Sequence, residues 1–204
     1  MIKPNNYNST SIDGDFIVLP ADGYICQILG IEETVSQNSG KEMLKVALDI
    51  CEGDYAGFFQ MKWKEKKLGA DNPSTVKYPS DGIAYIVTED ANGNCSKRFK
   101  GFCTALEDSG VEVWSANDEF LIGNVKNAKV GVIFRREESE YNGKTYWNTK
   151  PMTFRSVQRI EDGDYTIPDD KYLEKPMGFN PYTPTTPPTV ETDSFSAAED
   201  DIPF

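Results

Sequence analysis

The chain has 204 residues, with 33 acidic against 21 basic side chains, a net charge of −12 and an isoelectric point near 4.5. It is long enough for one domain with its own core plus appendages, and at whole-chain level its charge opposes non-specific attachment to polyanions. It contains no histidine, which removes zinc-finger and zinc-deaminase sites, histidine general bases and Cys–His nucleophile pairs.

From the N-terminus, MIKPNNYNSTSIDGDF has no apolar leader core. Ile25, Leu29 and Ile31 give a weak first strand, and Ser39-Gly40 a turn. In EMLKVALDIC, Leu44, Val46, Leu48 and Ile50 alternate with Lys45, Ala47 and Asp49, the period of a half-buried strand. Phe59, Met61 and Trp63 alternate with Gln60, Lys62 and Lys64, which predicts a third strand followed by a long Pro- and Gly-containing loop. Phe99, Phe102, Cys103 and Leu106 have helical spacing, and Gly110 is a C-terminal stop. Lys97, Arg98 and Lys100 near the start of that helix run against its macrodipole. Either the dipole effect is weak at exposed positions, or those cations face a phosphate.

Val130, Val132 and Phe134 mark a fourth strand, Asn142-Gly143 a hairpin turn, and KTYWNTK with MTFRSVQRI the return. The fold expected over residues 1–175 is mainly β: an OB-like five-stranded Greek-key barrel with one helix between strands three and four. Residues 176–204 differ. They hold six of the twelve prolines and no Lys or Arg, and they contribute five of the net negative charges, leaving −7 for residues 1–175. That composition predicts a disordered Pro-rich acidic tail spanning about 30 Å as a flexible coil.

Two stretches interleave cations with aromatic rings, the pattern that tracks a phosphate backbone and stacks bases. In FFQMKWKEKKL the candidates are Lys62, Lys64, Lys66 and Lys67, with Phe58 on the lysine face as the stacking ring. Trp63 would be core or stacking. The second runs from Lys129 to Arg159 and carries +4 in a chain of −12, so its local charge is more informative than the global one. Its candidates are Lys129, Arg135, Arg136, Tyr141, Lys144, Tyr146, Trp147 and Lys150. Tyr146, Asn148 and Lys150 would share one face and Trp147 the other, one of the two rings being core. An ordinary amphipathic hairpin is the competing reading.

Other patterns point away from catalysis. NGKT at 142–145 has the ending of a phosphate loop, but Glu138 stands where its first glycine belongs and no strand-loop-helix context surrounds it. SGKE at 39–42 fails in the same way at Val35. The acids of EDGD (161–164) and PDDK (168–171) lack a metal-loop pattern and read as solvated linker charge. The four cysteines, Cys26, Cys51, Cys95 and Cys103, form no CxxC pair and suit reduced thiols of a cytoplasmic protein. No stretch approaches membrane-spanning length. No catalytic residue, metal or cofactor is expected.

The last residues, EDDIPF, combine acids for a basic ridge, apolar Ile202 and Phe204, a stiffening Pro203, and a terminal carboxylate on the Phe204 ring. Asp200, Asp201, Ile202, Pro203 and Phe204 together resemble the acidic tip of bacterial single-stranded DNA-binding proteins. The hairpin FRREESEYNGKTYWNTK resembles, more loosely and over about residues 15–165, phage-encoded single-stranded DNA-binding proteins. The resemblance implies a non-enzymatic protein of a phage or mobile element, acting in the host cytoplasm. An OB domain would hold single-stranded DNA, and those five tip residues would recruit replication, recombination or repair enzymes. It leaves open a homo-oligomer. The alternatives are an adaptor or decoy that docks such enzymes without binding DNA, and a recombination-associated nuclease. A corollary is that the acidic tail competes with DNA for the basic groove.

Overall fold

The computed structural model describes Tyr7, residues 17–37 and residues 39–173. The tail and the tip residues Asp200, Asp201, Ile202, Pro203 and Phe204 therefore lie outside the described residues. The fold is mainly β, an open five-stranded antiparallel sheet with a few helices. In chain order the strands are β1 (Gly23–Val35), β2 (Glu42–Ile50), β3 (Ile83–Val87), β4 (Lys129–Tyr141) and β5 (Lys144–Arg155). Their order across the sheet is β3-β2-β1-β4-β5.

β1 sits at the centre because it bends. Its first residues pair with both neighbours, Cys26 facing Ile50 on β2 and Val130 on β4. A bulge between Ile28 and Gly30 then turns the strand, and from Ala47 to Glu42 it pairs with β2 alone. The Ile28 N–H donates to the Ala128 carbonyl, and the Asn127 N–H to the Ile28 carbonyl, so the bend leaves neither group unpaired.

β2 is buried on both faces rather than one. Leu44, Val46, Leu48 and Ile50 enter the core as expected, but Lys45 and Asp49 are buried too, each only 4% exposed. Each has a partner: Lys45 pairs with Glu32 at 3.0 Å, and Asp49 accepts the N–H of Phe59 at 2.9 Å.

That Asp49 contact marks the main departure from the sequence reading. Phe58–Leu68 is a helix, α1, not the third strand, and the third strand is Ile83–Val87. The alternation of Phe59, Met61 and Trp63 misleads because the segment contains no β-branched residue. Gln60, Met61, Lys62, Lys64, Glu65, Lys66 and Lys67 are straight-chain helix formers. Gly57 turns into the helix at φ 80°, a conformation glycine adopts without strain, and Asp49 receives the first free N–H groups from across the core. Burial raises the Asp49 carboxyl above its usual range, against the opposing hydrogen bonds from Phe59 and Gln60.

The expected helix before β4 is α2 (Lys97–Glu107), capped by the Ser96 hydroxyl and stopped at Gly110. It lies along β5, Phe102 meeting Phe154 with ring centroids 4.9 Å apart. Two short helices, α3 (Ile122–Val125) and α4 (Val157–Glu161), complete the fold. The sequence segment MTFRSVQRI is thus divided: the strand ends at Arg155, and α4 follows, capped by Ser156. The core gathers Phe59, Phe102 and Phe134, all fully enclosed, with Phe59 stacked on Phe134 at 5.9 Å.

Candidate nucleic-acid interface

The β4–β5 hairpin is the longest two-stranded ribbon in the sheet, and its tip is the expected Asn142-Gly143 turn. Both turn residues have positive φ, 51° and 71°, and Tyr141 pairs directly with Lys144 across them. This two-residue turn with left-handed centres matches the twist of the strands it joins. NGKT is therefore a turn between strands, with no helix after it.

The register sorts the hairpin side chains into two faces. Val132 and Phe134 point into the core, so Arg136 and Glu138 continue their face, with Thr149 and Trp147 opposite them. Arg135, Glu137, Ser139 and Tyr141 form the outward face, with Lys150, Asn148, Tyr146 and Lys144 opposite. Tyr146 and Trp147 thus lie on opposite faces, as the alternation requires.

The Arg136–Trp147 face carries a strap. Residues 170–173 lie along the free edge of β4, bonded through the Glu138 N–H to the Lys171 carbonyl at 2.8 Å and the Lys171 N–H to the Arg136 carbonyl at 2.9 Å. Asp170 receives both Nε and Nη2 of Arg136, and the Tyr172 ring meets Trp147 edge-on at 5.3 Å. The Arg136 guanidinium also stands over the Trp147 ring at 5.1 Å. Glu138 accepts the Leu173 N–H at 3.0 Å, closing the strap at its far end. Arg136 and Trp147 are thus both engaged by the protein itself. Of the PDDK acids, Asp170 is thus not free linker charge: its hydrogen bonds from Arg136 hold its carboxyl below the usual range.

The outward face is open toward the hairpin tip, while Arg135 and Glu137 nearer the core are each 19% exposed. Tyr141 is 71% and Tyr146 47% exposed, and Lys144 and Lys150 are exposed beside them. Arg135 bonds Glu137 at 2.5 Å, with the Lys150 ammonium 3.9 Å from the same carboxylate. Arg98 reaches this face from α2, donating to the Pro151 carbonyl at 2.9 Å, and its charge acts on Glu137. Burial works to raise the Glu137 carboxyl, but Arg135, then Lys150, outweigh it and hold it below the ordinary range. Burial conversely lowers the Arg98 guanidinium, which Glu137 restores in part.

One feature of these cations sets them apart. Among the described residues, the buried side-chain nitrogens and oxygens without a hydrogen-bond partner are the Nε atoms of Arg98, Arg135 and Arg155. All three belong to the hairpin or the helix beside it, and Arg155 is on the same outward side as Arg135. Of the three, Arg135 bonds Glu137 and Arg98 lies within reach of its charge, whereas Arg155 has no carboxylate partner among the described residues. Arg98 and Arg155 were not among the chief sequence candidates. The signal for Arg98 was its place in the adverse charge of the α2 N-terminus.

The first sequence patch does not assemble. Phe58, expected to stack on bases, is 6% exposed and packs edge-on to Tyr55 and Phe59, because the helix turns it inward. Lys62 pairs with Asp81 at 2.9 Å, and Lys67 sits 3.5 Å from the Trp63 ring centroid. Trp63 itself packs on the core and donates its indole N–H to the Val76 carbonyl. Lys64 and Lys66 remain exposed. Lys129 lies at the far end of β4 from the hairpin tip, paired with Glu52 at 2.8 Å.

A second aromatic group, Phe99, Trp114 and Phe120, lines a cavity of about 360 Å³, but Glu33 and Glu42 stand on its rim and oppose a phosphate. Among the described residues no three His, Cys, Asp or Glu side chains are grouped to hold a metal, and no helix is long and apolar enough to cross a membrane.

A family model described as a protein of unknown function (DUF669) matches residues 5–78. The similarity covers β1, β2 and α1 and stops short of the β4–β5 hairpin. No curated protein matches the chain.

Proposed function

We propose that the protein binds single-stranded DNA, with little sequence preference, on the outward face of the β4–β5 hairpin. It would act in replication, recombination or repair and recruit partner enzymes through its C-terminal tip. The observation that carries the reading is the set of three guanidinium groups, Arg98, Arg135 and Arg155, each with an unpartnered Nε, with the Glu137 carboxylate serving Arg135 and Arg98 but not Arg155. Positive charge held with too little counter-charge is unfavourable, and a chain of phosphates supplies that counter-charge. The exposed rings of Tyr141 and Tyr146 offer faces for unstacked bases, which a duplex does not present.

The strand order β3-β2-β1-β4-β5, with α2 entering between β3 and β4, supports an OB-type barrel opened between its third and fifth strands. OB domains hold single strands against the sheet and the loop between strands four and five. For the tip, the support is the sequence alone: Asp200, Asp201, Ile202, Pro203 and Phe204 at the end of an acidic segment.

Anisotropy of labelled oligo-dT and of a matched duplex, measured across salt concentration, tests the reading. Preference for oligo-dT with a steep salt dependence is the expected outcome. No binding to oligo-dT at 20 mM salt would sink it. Deleting Phe204 should remove partner recruitment and leave strand binding unchanged. A second reading, an adaptor that binds protein through its body, is favoured by the acid-rimmed aromatic cavity at Phe99, Trp114 and Phe120. Absence of oligo-dT binding, with the tip still capturing replication enzymes, would select it.

A further inference from the structure

α2 runs beside β5 in the same direction: Arg98 reaches Pro151, Phe102 reaches Phe154, and the Ser109 hydroxyl accepts the Val157 N–H. Between α2 and the β5–α4 corner this leaves a cavity of about 520 Å³. Lys97 and Lys100 enter it from α2, Arg155 from the end of β5 and Arg159 from α4. The carboxylate on its lining is Asp108.

Arg159 is held by Asp164 at 2.8 Å, whereas Lys97, Lys100 and Arg155 have no carboxylate partner among the described residues. Lys97 and Lys100 also stand at the positive end of α2, whose first turn holds no acid. Their charges repel one another, Arg155 and the helix dipole alike, and an anion between them relieves all three. Arg155 lines this cavity and lies on the same side of the hairpin as Arg135, so its charge stands between the two. Phe154 supplies an apolar wall and Thr104 a hydroxyl donor.

We infer that this groove is a phosphate site, through which the backbone of the bound strand runs on from the hairpin face. The inference rests on the DNA-binding reading above and extends it by a second segment of the path. Lys64 and Lys66, exposed on α1, are not part of that path.

Cys95 provides the probe. It is exposed and lines the groove, whereas Cys26 and Cys103 are buried and Cys51 is half-buried. Its alkylation by iodoacetamide is followed with the full chain alone, with saturating oligo-dT and with inorganic pyrophosphate. Oligo-dT binding is measured in parallel for the wild type and for Lys97→Gln/Lys100→Gln, whose changed residues are exposed and do not threaten folding. The expected results are slowing of Cys95 alkylation by fivefold or more with oligo-dT, and affinity reduced about tenfold in the double variant at low salt. Its salt slope should fall by about 1.4, two phosphate contacts on a single strand. If oligo-dT binds but Cys95 reacts at its free rate and the double variant binds like wild type, the groove is off the path while the hairpin reading stands. Protection by pyrophosphate without protection by oligo-dT overturns the backbone assignment in favour of a small phosphate ligand. Failure of the wild type to bind oligo-dT removes the DNA-binding reading and this extension together.

Discussion

Glu137→Gln should tighten the binding of single-stranded DNA. Glu137 is the carboxylate amid Arg98, Arg135 and Lys150 on the open hairpin face, 2.5 Å from one and 3.9 Å from another. It neutralises cations that a strand would use, and it repels the strand. A phosphate seated on Arg135 would lie about 6 Å from the Glu137 carboxylate, where an effective dielectric of about 40–80 gives a repulsion of about 0.7–1.4 kcal/mol. Removing that charge predicts a three- to tenfold tighter complex at low salt. If the freed Arg135 gains one phosphate, the salt slope steepens by about 0.7. Anisotropy of labelled oligo-dT from 20 to 200 mM salt reads both quantities. The sign with pH follows from the lowered Glu137 carboxyl. Its contribution to stability is complete above the ordinary glutamate range and is lost as pH falls through the lowered value. Wild-type affinity should approach that of the variant over the same acid interval, so the difference between them closes only there. Equal or weaker binding by Glu137→Gln at neutral pH and low salt would refute the placement of the strand on this face.

The strap over the other hairpin face gives a second prediction: Tyr172→Ala with Asp170→Asn should raise acrylamide quenching of tryptophan emission, because Trp147 loses its edge contact. Unchanged quenching would show that the strap does not cover that ring in solution. Asp49→Ala should cost about 2 kcal/mol in urea unfolding, since it strands the buried Phe59 N–H, whereas Asp49→Asn keeps an acceptor and should stay within about 1 kcal/mol of wild type. Because burial raises the Asp49 carboxyl, the Asn variant should gain on wild type as pH rises and lose that gain below the ordinary aspartate range. Gly131→Ala places a methyl against the Ile160 side chain and 2.8 Å from the Ser156 carbonyl, so it should push α4 from the sheet and cost about 1–3 kcal/mol by the same assay.

The sequence carried the hairpin further than any other element. Asn142-Gly143 demanded a left-handed turn, the turn set the register, and the register alone separates Tyr146 from Trp147. α2 was equally legible from Phe99, Phe102, Cys103 and Leu106, whose spacing suits no strand. α1 was not, because three large apolar residues at alternate positions mimic a strand. The deciding facts were non-local: an acceptor on β2 for its first N–H groups, and a helical turn that carries Phe58 inward. Asp49 looked like the solvent side of an alternating strand, and only the packing of α1 onto β2 explains its burial.

The site divides along the same line. Counting charge between Lys129 and Arg159 correctly marked a locally basic ribbon in an acidic chain, but the count treats both faces as one surface. Strand geometry gives them different surroundings. On one face Arg136 and Trp147 meet Asp170 and Tyr172, a carboxylate and a ring in the places a phosphate and a base would take. On the other, Arg135, Lys150 and Arg98 share Glu137 and leave guanidinium donors unmet. A protein of net charge −12 can bind a polyanion only where its acids are kept from its cations, and here an acidic strap is satisfied on one side of a ribbon while the opposite side stays deficient in acceptors. On the proposed reading the charge that would matter for binding is that local deficit, to which residues far apart in sequence, Arg98 on a helix and Arg155 at a strand end, contribute alongside the basic residues of the hairpin.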